Sequence, residues 1–155
     1  MKTYSEIKNL IQSGLGEISC NFKLSNVNLV NVYSGEIYNT NIYIEDDRIV
    51  SIDPEVQMKT KKSIDCGGKY AVPGFIDSHL HIETTLLSPE ALSDVIVPKG
   101  TTTLCADLME IANVCGIDGI KALLNSIEKL PYRTYIEIPS RVPTAPGLET
   151  TGGIV

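Results

Sequence analysis

Ile7, Leu10 and Ile11 recur at helical spacing within residues 4–13, which predicts a short amphipathic helix with Ser5 as its cap and Gly14 and Gly16 closing it. From about residue 22 to 53 the period shortens to two. The segments VNLVNVY, EIYNTNIYIE and RIVSID are separated by SGE and by Asp46-Asp47. The run from Asn41 to Glu45 alternates polar and apolar, as a strand with one buried face requires. These segments predict a small antiparallel β unit, and a turn at Gly67-Gly68 leads out of it.

From residue 71 the pattern becomes strand, helix, strand, helix, strand. AVPGFIDSHLHI is an apolar strand that ends in polar groups. PEALSDVIVPKG reads as a helix with Ser88 at the cap and Pro89 in the first turn. GTTTLCAD is a β-branched strand. DGIKALLNSIEKL is an amphipathic helix with Ile120, Leu123, Leu124 and Ile127 inward and Asp118 a candidate cap, and RTYIEIPS is a third strand. Such an order starts a parallel sheet with right-handed crossovers. The expected fold class is therefore α/β. A helix and small β domain fill residues 1–70, and the first βα units of a (β/α)8 barrel fill residues 71–155. A closed barrel takes about 250 residues, so this barrel segment is expected to be incomplete.

Composition narrows the function classes. The 155 residues carry a formal net charge of -6, which argues against a nucleic-acid partner, because binding phosphate backbones needs clustered Lys and Arg. Cys20, Cys66, Cys105 and Cys115 form no CxxC pair, and they read as buried free thiols of a reducing compartment. The sequence shows neither a signal peptide nor an apolar run of about 18 residues, so no membrane partner and a cytoplasmic location are expected.

His79 and His81 are the only histidines, two apart at the C-terminal end of the strand opened by Pro73 and Gly74. Strict alternation points both imidazoles, with Asp77, to one face. Active-site groups collect at that rim of a barrel. Two neutral imidazoles with an acid beside them form a half-set of ligands for a first-row divalent metal. Glu137 and Ser140, near the end of the third strand, either face the same pocket or belong to structure and loop. Arg141 is a candidate rim residue.

VPGFIDSHLHIE resembles the first-strand signature of the amidohydrolase superfamily. PGFIDSHLHIETTLLSPE, PKGTTTLCADLMEIANVCG and IPSRVPTAPGLETTGG together resemble its adenine deaminase branch in order and spacing. The resemblance implies that His79 and His81 are strand 1 metal ligands, with manganese or iron favoured and zinc possible. It implies possible roles beside the metal or substrate for Asp77, Glu83, Asp107 and Glu110. The family's Asp-Pro-His-Glu segment stands here as Asp107-Leu108-Met109-Glu110, so a thioether replaces an imidazole. The proton-handling aspartate of the family is expected beyond residue 155.

The implied activity is metal-dependent hydrolysis of adenine, a small-molecule purine, to hypoxanthine and ammonia, with the 155-residue chain inactive alone and homo-oligomeric. A changed cyclic amide or amidine substrate, and a non-enzymatic oligomerising fragment, are the alternatives.

Overall fold

The computed structural model describes residues 2–52 and 56–138. It divides into two compact units, Met1–Pro73 and Gly74–Val155.

The first unit opens with α1 (Tyr4–Gly14). Its cap is Thr3 rather than Ser5. The Thr3 side chain accepts from the Glu6 backbone N–H, and the Glu6 carboxylate accepts from the Thr3 backbone N–H at 2.6 Å, a reciprocal capping box. Ser5 lacks a glutamate or glutamine three positions on, which is the feature that makes Thr3 the better cap.

Five strands follow: β1 (Cys20–Val30), β2 (Ile37–Glu45), β3 (Arg48–Ile52), β4 (Thr60–Asp65) and β5 (Tyr70–Ala71). Their sheet has the order β3-β2-β1-β4, with β5 also on β1. The antiparallel unit expected over residues 22–53 is present, β1 with β2 and β2 with β3, and the sheet becomes mixed only where the later strands β4 and β5 join it. β1 pairs antiparallel with β2 but parallel with both β4 and β5. Alternation reports which face of a strand is buried and is silent on the direction of its neighbour, so the sequence pattern missed this. Val27, Ile42 and Tyr43 are buried, and the Tyr43 hydroxyl donates to the Val56 carbonyl.

The second unit contains β6 (Phe75–Leu80), a 3₁₀ turn at Glu83–Thr85, α2 (Pro89–Ile96), a 3₁₀ turn at Val97–Lys99, β7 (Thr101–Asp107), α3 (Met109–Ile127) and β8 (Arg133–Glu137). The three strands form one parallel sheet in the order β6-β7-β8. Ser88 caps α2 by accepting from the Ala91 N–H, and Pro89 occupies the first turn. α3 begins nine residues before the expected Asp118, at Met109, and breaks internally at Gly116, whose φ of 59° and ψ of -151° are non-helical. That conformation suits glycine, so one sequence stretch holds two helical pieces. Asp118 lies beyond the break, exposed, with its carboxylate 3.8 Å from Lys121 Nζ.

Ile82, Leu92, Leu104, Ala106, Leu108 and Tyr132 make the core of this unit, with Leu80, Ile111, Ile120 and Leu123 packed against it. Burial pushes the Tyr132 hydroxyl above its ordinary range, and the charge of Glu90 adds to the shift. All four cysteines are free, but only Cys20 is buried, and Cys115 is exposed next to the break in α3.

Gly74, just ahead of β6, approaches β7 too closely for any side chain. A Cβ there would lie 1.9 Å from Thr102 Oγ1 and 2.8 Å from Thr102 Cβ. Gly74→Ala is expected to cost about 1–3 kcal/mol, the range for overpacking. Chemical denaturation of the variant measures it, and an unchanged midpoint would show that the two strands part without penalty.

Candidate metal centre

Leu80 and Ile82 pack into the core beneath the sheet, as do Leu104, Ala106 and Leu108. Side chains alternate along strands, so His79 and His81, and likewise Asp107, project from the other face. The strands are parallel, and Leu80 aligns with Ala106 while Asp107 aligns with Glu137. Three strand C-termini therefore present His79 and His81, Asp107 and Glu137 along one edge. In open α/β sheets this edge is where ligands bind.

The rings of His79 and His81 lie edge to face, with centroids 5.0 Å apart and planes at 88°. One ligand atom from each of His79, His81 and Asp107 falls within 4.8 Å of the others. Among the described residues, Asp107 Oδ1 is buried without a hydrogen-bond partner. An orphaned carboxylate oxygen beside two imidazoles has the chemistry of a divalent-cation site, because a buried oxygen without a donor is costly unless a cation satisfies it. The residues present thus fit the metal that the sequence implies.

Both rings have their δ nitrogens engaged. His79 Nδ1 is 3.0 Å from Glu137 Oε2, and His81 Nδ1 is 2.8 Å from Glu110 Oε2. The His81 pair is the more sheltered, with side chains 23% and 28% exposed against 56% and 38% for the His79 pair. With each Nδ1 taken, Nε2 is the nitrogen left to each ring.

Glu83 stands in the turn after His81, and its Oε1 accepts from the Ile111 backbone N–H at 3.0 Å. A carboxylate on the first turn of a helix is favourably placed against the helix dipole. Its other oxygen, Oε2, is buried without a partner among the described residues. Glu83 and Glu110 thus tie the segment after β6 to the start of α3 from both directions. Met109, at the position of the family's histidine, is the half-buried first residue of α3.

Asp77 does not join the group. Between Asp77 and Leu80, β6 advances three positions while β7 advances two, so the strand carries a bulge there. The extra residue interrupts strict alternation from Asp77 to His79, and with it the expectation that the two share a face. Asp77 Oδ1 instead accepts from the His79 backbone N–H at 3.2 Å. Glu137, for which the sequence allows either a pocket or a structural position, lies at the site. The signal that finds it is the alignment of two strand ends, TLCAD with YIE. Ser140 and Arg141 lie outside the described residues.

A model of the amidohydrolase family matches residues 70–152. The sequence is 54% identical over 140 residues to an adenine deaminase of Desulforamulus reducens, covering 90% of this chain and 24% of that protein. It is 40% identical over 149 residues to an adenine deaminase of Clostridium acetobutylicum, covering 96% of this chain and 25% of that protein. The chain thus spans about a quarter of the length of these curated relatives. Among solved structures it resembles an L-hydantoinase from Arthrobacter aurescens. The TM-score is 0.63 at 22% identity, over 80% of this chain and 29% of that one.

Proposed function

The chain belongs to the amidohydrolase family, and from that premise we propose that it is the N-terminal portion of an enzyme that hydrolyses adenine to hypoxanthine and ammonia. The observation that carries the proposal is the 54% identity to an adenine deaminase across 90% of the chain. The cluster of His79, His81 and Asp107 gives that likeness a chemical focus.

His79 and His81, through their ε nitrogens, and Asp107, through its orphaned oxygen, would hold a divalent cation. When bound, such a cation would lower the pKa of a water toward neutrality and so supply a nucleophile at neutral pH. Imidazole and carboxylate suit zinc, manganese and iron alike, and the family resemblance tilts our preference to manganese or iron.

This chain's own residues do the holding. The bulge of β6 aims His79, α3 brings Glu110 to His81, and the end of β8 brings Glu137 to His79. The chain has no third histidine, so any further imidazole of the complete site comes from outside these 155 residues. The barrel itself, of which β6, β7 and β8 would be the first three strands, is part of the same proposal. Phe75, Ile76 and Ile138 are 59%, 66% and 92% exposed on the outer strands of the sheet or just past them, which supports further cover by barrel or by homo-oligomer contacts. Among the described residues no helix is long and apolar enough to cross a membrane. The free thiols support a cytoplasmic setting.

The intact protein loaded with Mn²⁺ is expected to convert adenine to hypoxanthine with release of one ammonia, followed by ultraviolet absorbance and an ammonia-coupled assay. Met109 favours one second reading, a different cyclic amide or amidine substrate. Turnover of such a compound with adenine left untouched would replace the first reading by the second.

A further inference from the structure

Glu110 and Glu137 have no ligand role in the reading above, yet each takes up the δ nitrogen of one histidine. We infer that they are positioning residues, which hold both imidazoles as Nδ1–H tautomers and so leave Nε2 of each ring as the nitrogen to meet a cation. The inference rests on the metal-site reading for its purpose but not for its chemistry. An ionised carboxylate is acceptor-only, so a neutral imidazole that meets one at Nδ1 must carry its proton there. Carboxylate partners of metal-binding histidines act in this way, fixing both tautomer and ring orientation.

The geometry gives each ring its own support. Glu110 stands on the first turn of α3 and Glu137 at the last residue of β8, so separate elements set the two planes 88° apart. The first turn of α3 is in turn anchored by Glu83, which accepts the Ile111 N–H from two residues after His81. His81 is therefore fixed at its ring and through the turn that follows it. The ring of His79 is held by the more exposed Glu137, so it is the looser of the two.

The chain's two histidines make the test direct. Nitrogen-15 shifts of the metal-free chain, at mildly alkaline pH, report which ring nitrogen is protonated. Both rings of the unsubstituted chain are expected to show protonated Nδ1. Glu110→Ala is expected to give His81 mixed tautomers and leave His79 unchanged, and Glu137→Ala the reverse. Glu110→Gln and Glu137→Gln keep an acceptor oxygen in nearly the same volume. They are expected to restore the tautomer largely, and they keep the test valid if an alanine variant fails to fold. Mn²⁺ affinity is expected to fall about 10–100-fold in each alanine variant and by less in the glutamine variants. Protonated Nε2 in the unsubstituted chain, or shifts that ignore both alanine substitutions, would overturn the inference. The expected tautomers in an intact protein that takes up no Mn²⁺ would overturn the metal reading alone.

Discussion

His81→Ala is expected to lower the affinity of the intact protein for Mn²⁺ by more than about 100-fold. Loss of a residue that merely supports a ligand costs about 10–100-fold, and His81 would itself be a ligand. Its effect should exceed that of His79→Ala, because His81 is the less exposed ring and is held by the shorter contact, 2.8 Å against 3.0 Å. Competition against a chelator measures the affinity, and circular dichroism confirms that the fold survives. An unchanged Mn²⁺ affinity in His81→Ala would remove the strand-end cluster as the metal site.

Leu104→Ala is expected to destabilise the chain by about 2–5 kcal/mol, the range for cutting a buried leucine back to alanine. Leu104 is 1% exposed on β7, the middle strand, with sheet partners on both sides. Neither neighbouring strand can close over the cavity without giving up ladder hydrogen bonds. Val114→Ala serves as the control. Val114 is 59% exposed on α3, so its removal should change stability by no more than about 0.5 kcal/mol. Urea denaturation of the two variants separates the outcomes, and equal midpoints would show that the core is not centred on β7. Loss of packing at Leu104 should also weaken the cation site, because Asp107 lies three residues along the same strand.

Part of this was legible without coordinates. The Ser88 cap, the Pro89 first turn and the strands that became β6, β7 and β8 are written in neighbouring residues, and local chemistry suffices to read them. The start of α3 was not legible. Leu108 offers no side-chain cap and Gly116 interrupts the helical pattern, so the eye falls on Asp118, the next capping residue. The direction of β4 and β5 beside β1 was likewise hidden, since parallel and antiparallel neighbours leave the same alternation.

At the site, the sequence by itself determined that two imidazoles stand at one strand tip and that Asp107 ends the next strand. Only the tertiary structure decided which acids meet them. A bulge turned Asp77 aside, strand register put Glu137 level with Asp107, and the first turn of α3 carried Glu110 to His81. The physical reason is range. Alternation and capping act between residues a few positions apart, whereas a contact across 58 positions, as between His79 and Glu137, exists only once the strands have paired.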